Sequence, residues 1–164
     1  MKELPHTHSC FVCGESNPHG LKMRFHAEGR VVTAKFRPCK EHIGFKGVVH
    51  GGLTATVLDE IMVWACVVAT KKFAYCAELK VRYLRPLAPG EEVTVTSELV
   101  ADHKGRILEA KAAMHNAAGT ALVQATGKYM PIREADTALM MADFIGDASW
   151  VTGKILRVDG GVFM

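Results

Sequence analysis

Residues 50–70 read HGGLTATVLDEIMVWACVVAT. From Leu53 to Thr70 almost every position is apolar, so a helix built here has no wet face and must be buried on most sides. Asp59 and Glu60 stand at its middle. A carboxylate pair at the centre of a bilayer is costly, which points to a core helix and not to a membrane span.

The flanks say what buries it. Before the helix, Leu21–His26 and Val31–Phe36 read as strands around a turn at Glu28-Gly29, followed by a loop with Pro38, Gly44 and Gly47. After it come four strand patterns, Cys76–Leu84, Glu92–Val100, Ile107–His115 and Leu122–Met130, separated by turns at Pro89-Gly90, Lys104-Gly105 and Ala118-Gly119. The pattern predicts an α+β fold: two strands, one long central helix, then an antiparallel meander of four, with a strongly curved sheet wrapped around the helix.

With 164 residues the chain suits one domain with a real core. Its formal net charge is +3 with scattered basic residues, which excludes a nucleic-acid surface as a leading reading and suits a phosphate-bearing substrate. There are five cysteines, and MKELPHTHSC contains no apolar leader, so the expectation is a cytoplasmic protein with reduced thiols. Three regions separate by pattern: an arm over residues 1–20 without periodicity, a main domain over 21–133, and an extension over 134–164.

Chemistry is expected at the helix start. Glycines at 51 and 52 let a ligand approach the backbone, and the first helical N–H groups have no intrahelical partner. With the helix dipole they suit an oxyanion on an attacked carbonyl, although a simple helix-starting turn is the plainer reading of His50-Gly51-Gly52 taken alone. Asp59 follows Gly52 by two helical turns on one face. Two readings stand for it: a catalytic base strengthened by desolvation, or a core salt bridge with Arg82 or Arg85. Seven residues rise about 10 Å along a helix, too far for Gly52 and Asp59 of one chain to reach the same carbonyl. A two-fold dimer with antiparallel helices brings Asp59 of one copy beside Gly51-Gly52 of the other, so a composite site is expected.

The segment HGGLTATVLDE resembles the helix signature of hotdog-fold acyl-CoA thioesterases of the phenylacetate-degradation type, and CFVCGESNPHGLKMRF and AELKVRYLRPLAPGE are similar to stretches of its bacterial members. The likeness spans about Cys10 to Pro131. It implies a hotdog fold hydrolysing a small, medium or aromatic acyl thioester of CoA, without a cofactor or metal, as a homodimer or homotetramer. It also implies Asp59 as nucleophile or base, the amide of Gly52 or Gly51 as carbonyl polariser, and His50 shaping the turn. The family's hydroxyl residue after the helix falls on Cys76 here, and an Asn before the motif His falls on Gly44. His42, Lys46, Arg82, Arg85 and Arg106 are candidates by type for substrate contacts, each with an ordinary solvated charge as the plainer reading.

Three further readings complete the sequence. Cys10-Phe11-Val12-Cys13 with Cys39-Lys40-Glu41-His42 has the spacing of a zinc site, set against a metal-free arm. From about Ala135 the extension resembles the end of short-chain dehydrogenases, but no GxxxGxG and no Tyr four before a Lys accompany it, so it reads as a remnant, either docked on a sheet edge through Ile155–Val158 and Trp150 or a flexible end with no role. A non-catalytic acyl-CoA or acyl-carrier binding protein is the main alternative to hydrolysis, with a hotdog dehydratase behind it.

Overall fold

The computed structural model describes residues 1–133, 136–137 and 144–145. Short strands β1 (Lys2–Glu3) and β2 (His6–Thr7) open the chain, followed by β3 (Phe25–Glu28) and β4 (Val31–Phe36). A 3-10 turn at Lys40–His42 leads to a small hairpin, β5 (Ile43–Phe45) with β6 (Val48–Val49), and then to helix α1 (Gly51–Thr70). Strands β7 (Ala74–Tyr83), β8 (Val93–His103), β9 (Ile107–Asn116) and β10 (Ala121–Pro131) follow, and β11 is Phe144–Ile145.

One seven-stranded sheet, in the order β1-β3-β4-β8-β9-β10-β7, carries the fold. Helix α1 touches β3, β4, β7, β8, β9 and β10, so the sheet wraps around it as the helix composition demands. Val57, Leu58, Ile61, Met62 and Val67 are buried against Val32, Val93, Val95, Leu108, Met114 and Val123 of the concave face. By length and hydropathy α1 could cross a membrane; here it is the core helix. It ends at Lys71, whose left-handed backbone (φ 63°) lets its N–H close on the Val67 carbonyl at 2.8 Å.

The strand order departs from a four-strand meander. Only β8, β9 and β10 run as one, because β4 occupies the other edge of β8, with Val32 opposite Ser97 and Phe36 opposite Val93. Strand β7 therefore lies beyond β10 and forms the far edge of the sheet. Residues 84–92 carry the chain back across, held by Leu84 and Arg85 N–H groups on the Leu122 carbonyl (2.8 and 3.0 Å) and by Gly90 N–H on Pro38 (2.7 Å).

The arm is structured where the sequence has no periodicity. Strand β1 joins the main sheet, and Leu4, Val12 and Cys13 are buried in the core. Strand β2 pairs with β11, and Phe144 is buried with ring centroids 5.2 Å from Phe73 and 6.1 Å from Trp64. Aromatic pairing thus fills the end of the barrel-like sheet around Trp64. Ile155–Val158, Trp150 and the rest of the dehydrogenase-like stretch lie outside the described residues apart from these positions.

Gly127 on β10 is demanded by its neighbour, since a Cβ there would fall 2.6 Å from a ring carbon of Tyr129 and 2.8 Å from its hydroxyl. Gly127→Ala should therefore lower stability by about 1–3 kcal/mol in urea unfolding. An unchanged midpoint would show that the Tyr129 ring has room to move.

Candidate active site

His50 caps α1. Its extended backbone (φ −60°, ψ 128°) precedes the helix, its carbonyl accepts the N–H groups of Leu53 and Thr54, and its Nδ1 accepts the Gly52 N–H at 2.9 Å. That bond occupies the Gly52 amide. The Gly51 N–H has no partner among the described residues, while the Gly51 carbonyl accepts the Tyr83 hydroxyl at 2.7 Å. Tyr83 thus pins the helix start from β7, a contact no local pattern announces. Gly44 lies against His50: a Cβ there would sit 3.0 Å from the imidazole Cδ2, so an asparagine at this position would require the ring to shift.

Asp59 lies two turns along the helix and is half-buried. Its partner is neither Arg82 nor Arg85. Tyr129 donates its hydroxyl to Asp59 Oδ1 at 2.9 Å, and no ion pair reaches the carboxylate among the described residues. Tyr129 is 0% exposed, and burial, followed by the Asp59 charge and the hydrogen bond to it, drives its phenol pKa upward, so it stays protonated and remains a donor. A bulge between Lys128 and Tyr129 sets Cys76 of β7 opposite Tyr129. The Cys76 thiol accordingly lies beside Asp59, and its pKa is pushed up to about 11 by desolvation first and then by that carboxylate. The site gathers Asp59, Tyr129 and Cys76. Tyr129 is legible beforehand only as one more inward position of an alternating strand.

Glu60 turns away from this group toward Cys10 and Cys13. Lys46, Arg82 and Arg106 are exposed, and Arg85 donates Nη1 to the Ala121 carbonyl at 3.1 Å. His42 is half-buried: its Nδ1 accepts the Cys39 N–H at 3.2 Å, its ring stacks on Phe36, and its carbonyl accepts the His50 N–H at 2.8 Å. His42 therefore supports the turn before the helix. It also lines a groove of about 430 Å³ with Lys22, Arg24, Lys35 and Arg37, away from Asp59. A second groove, of about 380 Å³, opens beside Gly51 and is lined by Phe45, Val48, Thr54, Tyr83, Arg85 and Leu87. Its largely apolar wall lies beside a helix-terminal N–H that has no partner among the described residues, at the positive end of the helix dipole.

A family model described as Thioesterase superfamily matches residues 46–106, the stretch that carries the helix and its flanks. Acyl-coenzyme A thioesterase 13 of Homo sapiens is 30% identical over 80 residues, which are 48% of this chain and 56% of that protein. The chain thus spans about half the length of the curated relatives it matches. Among solved structures, a thioesterase superfamily protein superposes with a TM-score of 0.68 at 24% identity, covering 74% of this chain and 62% of the other. A Streptococcus mutans protein bound to acetyl CoA gives 0.62 at 17% identity, covering 67% and 88%. The fold is the hotdog fold of thioesterase-superfamily structures.

Because the thiolate is the reactive form, a raised pKa leaves about one Cys76 in a thousand ionised at pH 8. Alkylation of Cys76, followed by peptide mass spectrometry, should be slow at pH 8 and climb steeply toward pH 11. Asp59→Asn should speed it at pH 8, since one cause of the shift is removed. Equal rates in both proteins would separate Cys76 from the Asp59 field.

Proposed function

We propose that this chain hydrolyses acyl-CoA thioesters of small, medium or aromatic acids, using Asp59 as the reacting carboxylate. The observation that carries the reading is the Asp59–Tyr129 pair. A half-buried carboxylate on a core helix, held through Oδ1 by a buried phenol and met by the Cys76 thiol, has no salt-bridge partner among the described residues to explain it as a structural charge.

The reaction needs two elements at one carbonyl. The Gly51 N–H, at the positive end of the helix dipole, polarises the thioester oxygen and stabilises the oxyanion that follows. Gly52 cannot share that task while its N–H is bound to His50. The Asp59 carboxylate either attacks the carbonyl carbon, expelling CoA thiolate and leaving a mixed anhydride that water then cleaves, or takes a proton from a water that attacks the carbonyl itself. On both routes the C–S bond breaks, one proton of the water ends on the CoA sulfur and the other on the released acid, and the carboxylate is regenerated. Tyr129 fixes the carboxylate's orientation throughout, and the groove beside Gly51 takes the acyl chain.

Gly51 and Asp59 lie eight residues apart on one helix, about 12 Å of rise, so the two come from different copies. Strand β7 offers the means. Among the described residues it is the far edge of the sheet, with Tyr75 and Tyr83 exposed, and the helix face formed by Gly52, Thr56, Asp59 and Val63 retains exposed surface in the single chain. Edge-to-edge pairing of two β7 strands about a two-fold axis would cover both and set the helices antiparallel, giving a homodimer or a tetramer of two such dimers. The match to acyl-coenzyme A thioesterase 13 and the acetyl-CoA complex of a structural neighbour support CoA as the leaving group.

Free-thiol release from a panel of acyl-CoAs tests this. Asp59→Ala should lower kcat by about 10²-fold or more while the protein stays folded and oligomeric. Tyr129→Phe, which removes one hydrogen bond to a charged group, should lower it by roughly 10–100-fold. Binding of acyl-CoA without thiol release from any member would move the reading to a binding protein, and full activity in a monomer would overturn the composite site.

A further inference from the structure

The sequence pairs Cys10 and Cys13 with Cys39 and His42 as a zinc-type set; the structure pairs them with something else. Cys10 Sγ, Cys13 Sγ and a Glu60 carboxylate oxygen all lie within 4.8 Å of one another. Cys39 and His42 are not part of that group; they stand at the 3-10 turn, where the Cys39 backbone N–H donates to His42 Nδ1. Tetrahedral coordination by two thiolates at about 2.3 Å and a carboxylate at about 2.0 Å needs ligand atoms roughly 3.5–3.8 Å apart. Closing from an arrangement within 4.8 Å takes an adjustment of at most about an ångström in each ligand-to-ligand distance.

The turn that holds the two sulfurs is built for this. Gly14 N–H closes on the Cys10 carbonyl at 2.9 Å, and Val12 N–H points at Cys10 Sγ at 3.2 Å. A Cβ on Gly14 would fall 2.2 Å from the Cys10 carbonyl oxygen, so only glycine completes the turn. Thr7 Oγ1 accepts the Cys10 N–H at 3.0 Å and lies 3.7 Å from Cys13 Sγ. Both sulfurs are thereby aimed at one point on α1, where Glu60 stands.

A second observation points into the same place. Trp64, one turn beyond Glu60, is 1% exposed, and its indole N–H has no partner of ordinary geometry among the described residues, only a loose approach to the Glu60 carboxylate. A buried orphan donor is costly. A carboxylate drawn onto a cation through one oxygen would present its other oxygen to that N–H, the outer-shell contact that metal-bound carboxylates commonly make.

We propose that Cys10, Cys13 and Glu60 form a binding site for a zinc-class divalent cation that clamps residues 1–20 onto helix α1. Two thiolates with one carboxylate select a borderline-soft metal over calcium or magnesium. Coordination needs both sulfurs as thiolates and Glu60 as a carboxylate, so whatever protons the three groups carry are released to solvent on binding, and a fourth position is left for water. Glu60 thereby acquires a reason to sit in an apolar helix that is independent of the Asp59 chemistry, and the site stands whether or not the thioesterase reading does. Because metal affinity is gained only in the folded arm, it adds to the arm's stability.

The test is cobalt(II) substitution of the full chain, reduced and freed of metal. One equivalent should bind per chain with a thiolate-to-cobalt charge-transfer band in the near ultraviolet, and zinc should displace it. Cys10→Ser and Cys13→Ser should abolish the band, whereas Cys39→Ser should keep it. Outer-shell losses alone cost roughly 10–100-fold in affinity, so the isosteric Glu60→Gln should weaken cobalt binding at least as much while keeping the band. Should the cysteine variants fail to fold, the wild-type chain still decides: zinc should protect Cys10 and Cys13, and not Cys39, from alkylation mapped by mass spectrometry. Absence of the band in wild type, a band lost with Cys39→Ser, or identical labelling with and without zinc would each overturn the site.

Discussion

A helix that is apolar on nearly every side has to be enclosed, and that constraint organises this protein. One flat sheet covers one face of a helix; enclosing α1 requires strands on several sides, so seven strands curve around it and six of them touch it. The same enclosure makes any carboxylate on α1 conspicuous. Asp59 and Glu60 are adjacent in sequence yet about 100° apart around the helix axis, so they face different surroundings. One meets the β7–β10 side of the sheet with Tyr129 and Cys76, the other meets the arm with Cys10 and Cys13.

The two faces share a logic. On each, a half-buried acidic group is met by groups from elements remote in sequence, and on each a glycine makes the approach possible. Gly127 clears the space in which the Tyr129 ring lies toward Asp59, and Gly14 tightens the turn that aims two sulfurs at Glu60. The helix start follows the same rule: Gly51 lies against Tyr83 and Gly44 against His50, with contacts of 3.2 and 3.0 Å for an added Cβ. Close approach of neighbouring atoms, inside the turn itself for Gly14, explains these glycines; among the described glycines a positive φ belongs to others such as Gly90 and Gly119.

Local physics also sorts the candidate donors at the helix start. His50 was expected to shape the turn, and its Nδ1 takes up the Gly52 N–H. The consequence is that the glycine nearer the helix interior is engaged and the outer one is open. His42 supports that arrangement from behind through its carbonyl. The exposed Lys46, Arg82 and Arg106 contribute no defined geometry, which is the usual state of surface charges.

Much of the fold was written in periodicity. The alternation over Val31–Phe36 coincides with β4, α1 begins at the His50-Gly51-Gly52 step, and β7 to β10 fall within about three residues of their patterns, because alternation and turn residues are local signals. The order of strands was not local: β7 lies beyond β10 because β4 had taken the edge of β8, a competition between segments some 60 residues apart. The arm shows the same limit, since β1 and the burial of Val12 and Cys13 depend on surfaces supplied by β3 and α1. For the site, the sequence by itself determined which carboxylates and glycines are available, because a charge in an apolar helix and glycines at its start are visible one residue at a time. Only the tertiary structure decided their partners, Tyr129 and Tyr83 on one side and the Cys10–Cys13 turn on the other. Hydrogen bonds and ligand clusters between distant elements depend on strand register and chain approach, and no spacing along the chain encodes those.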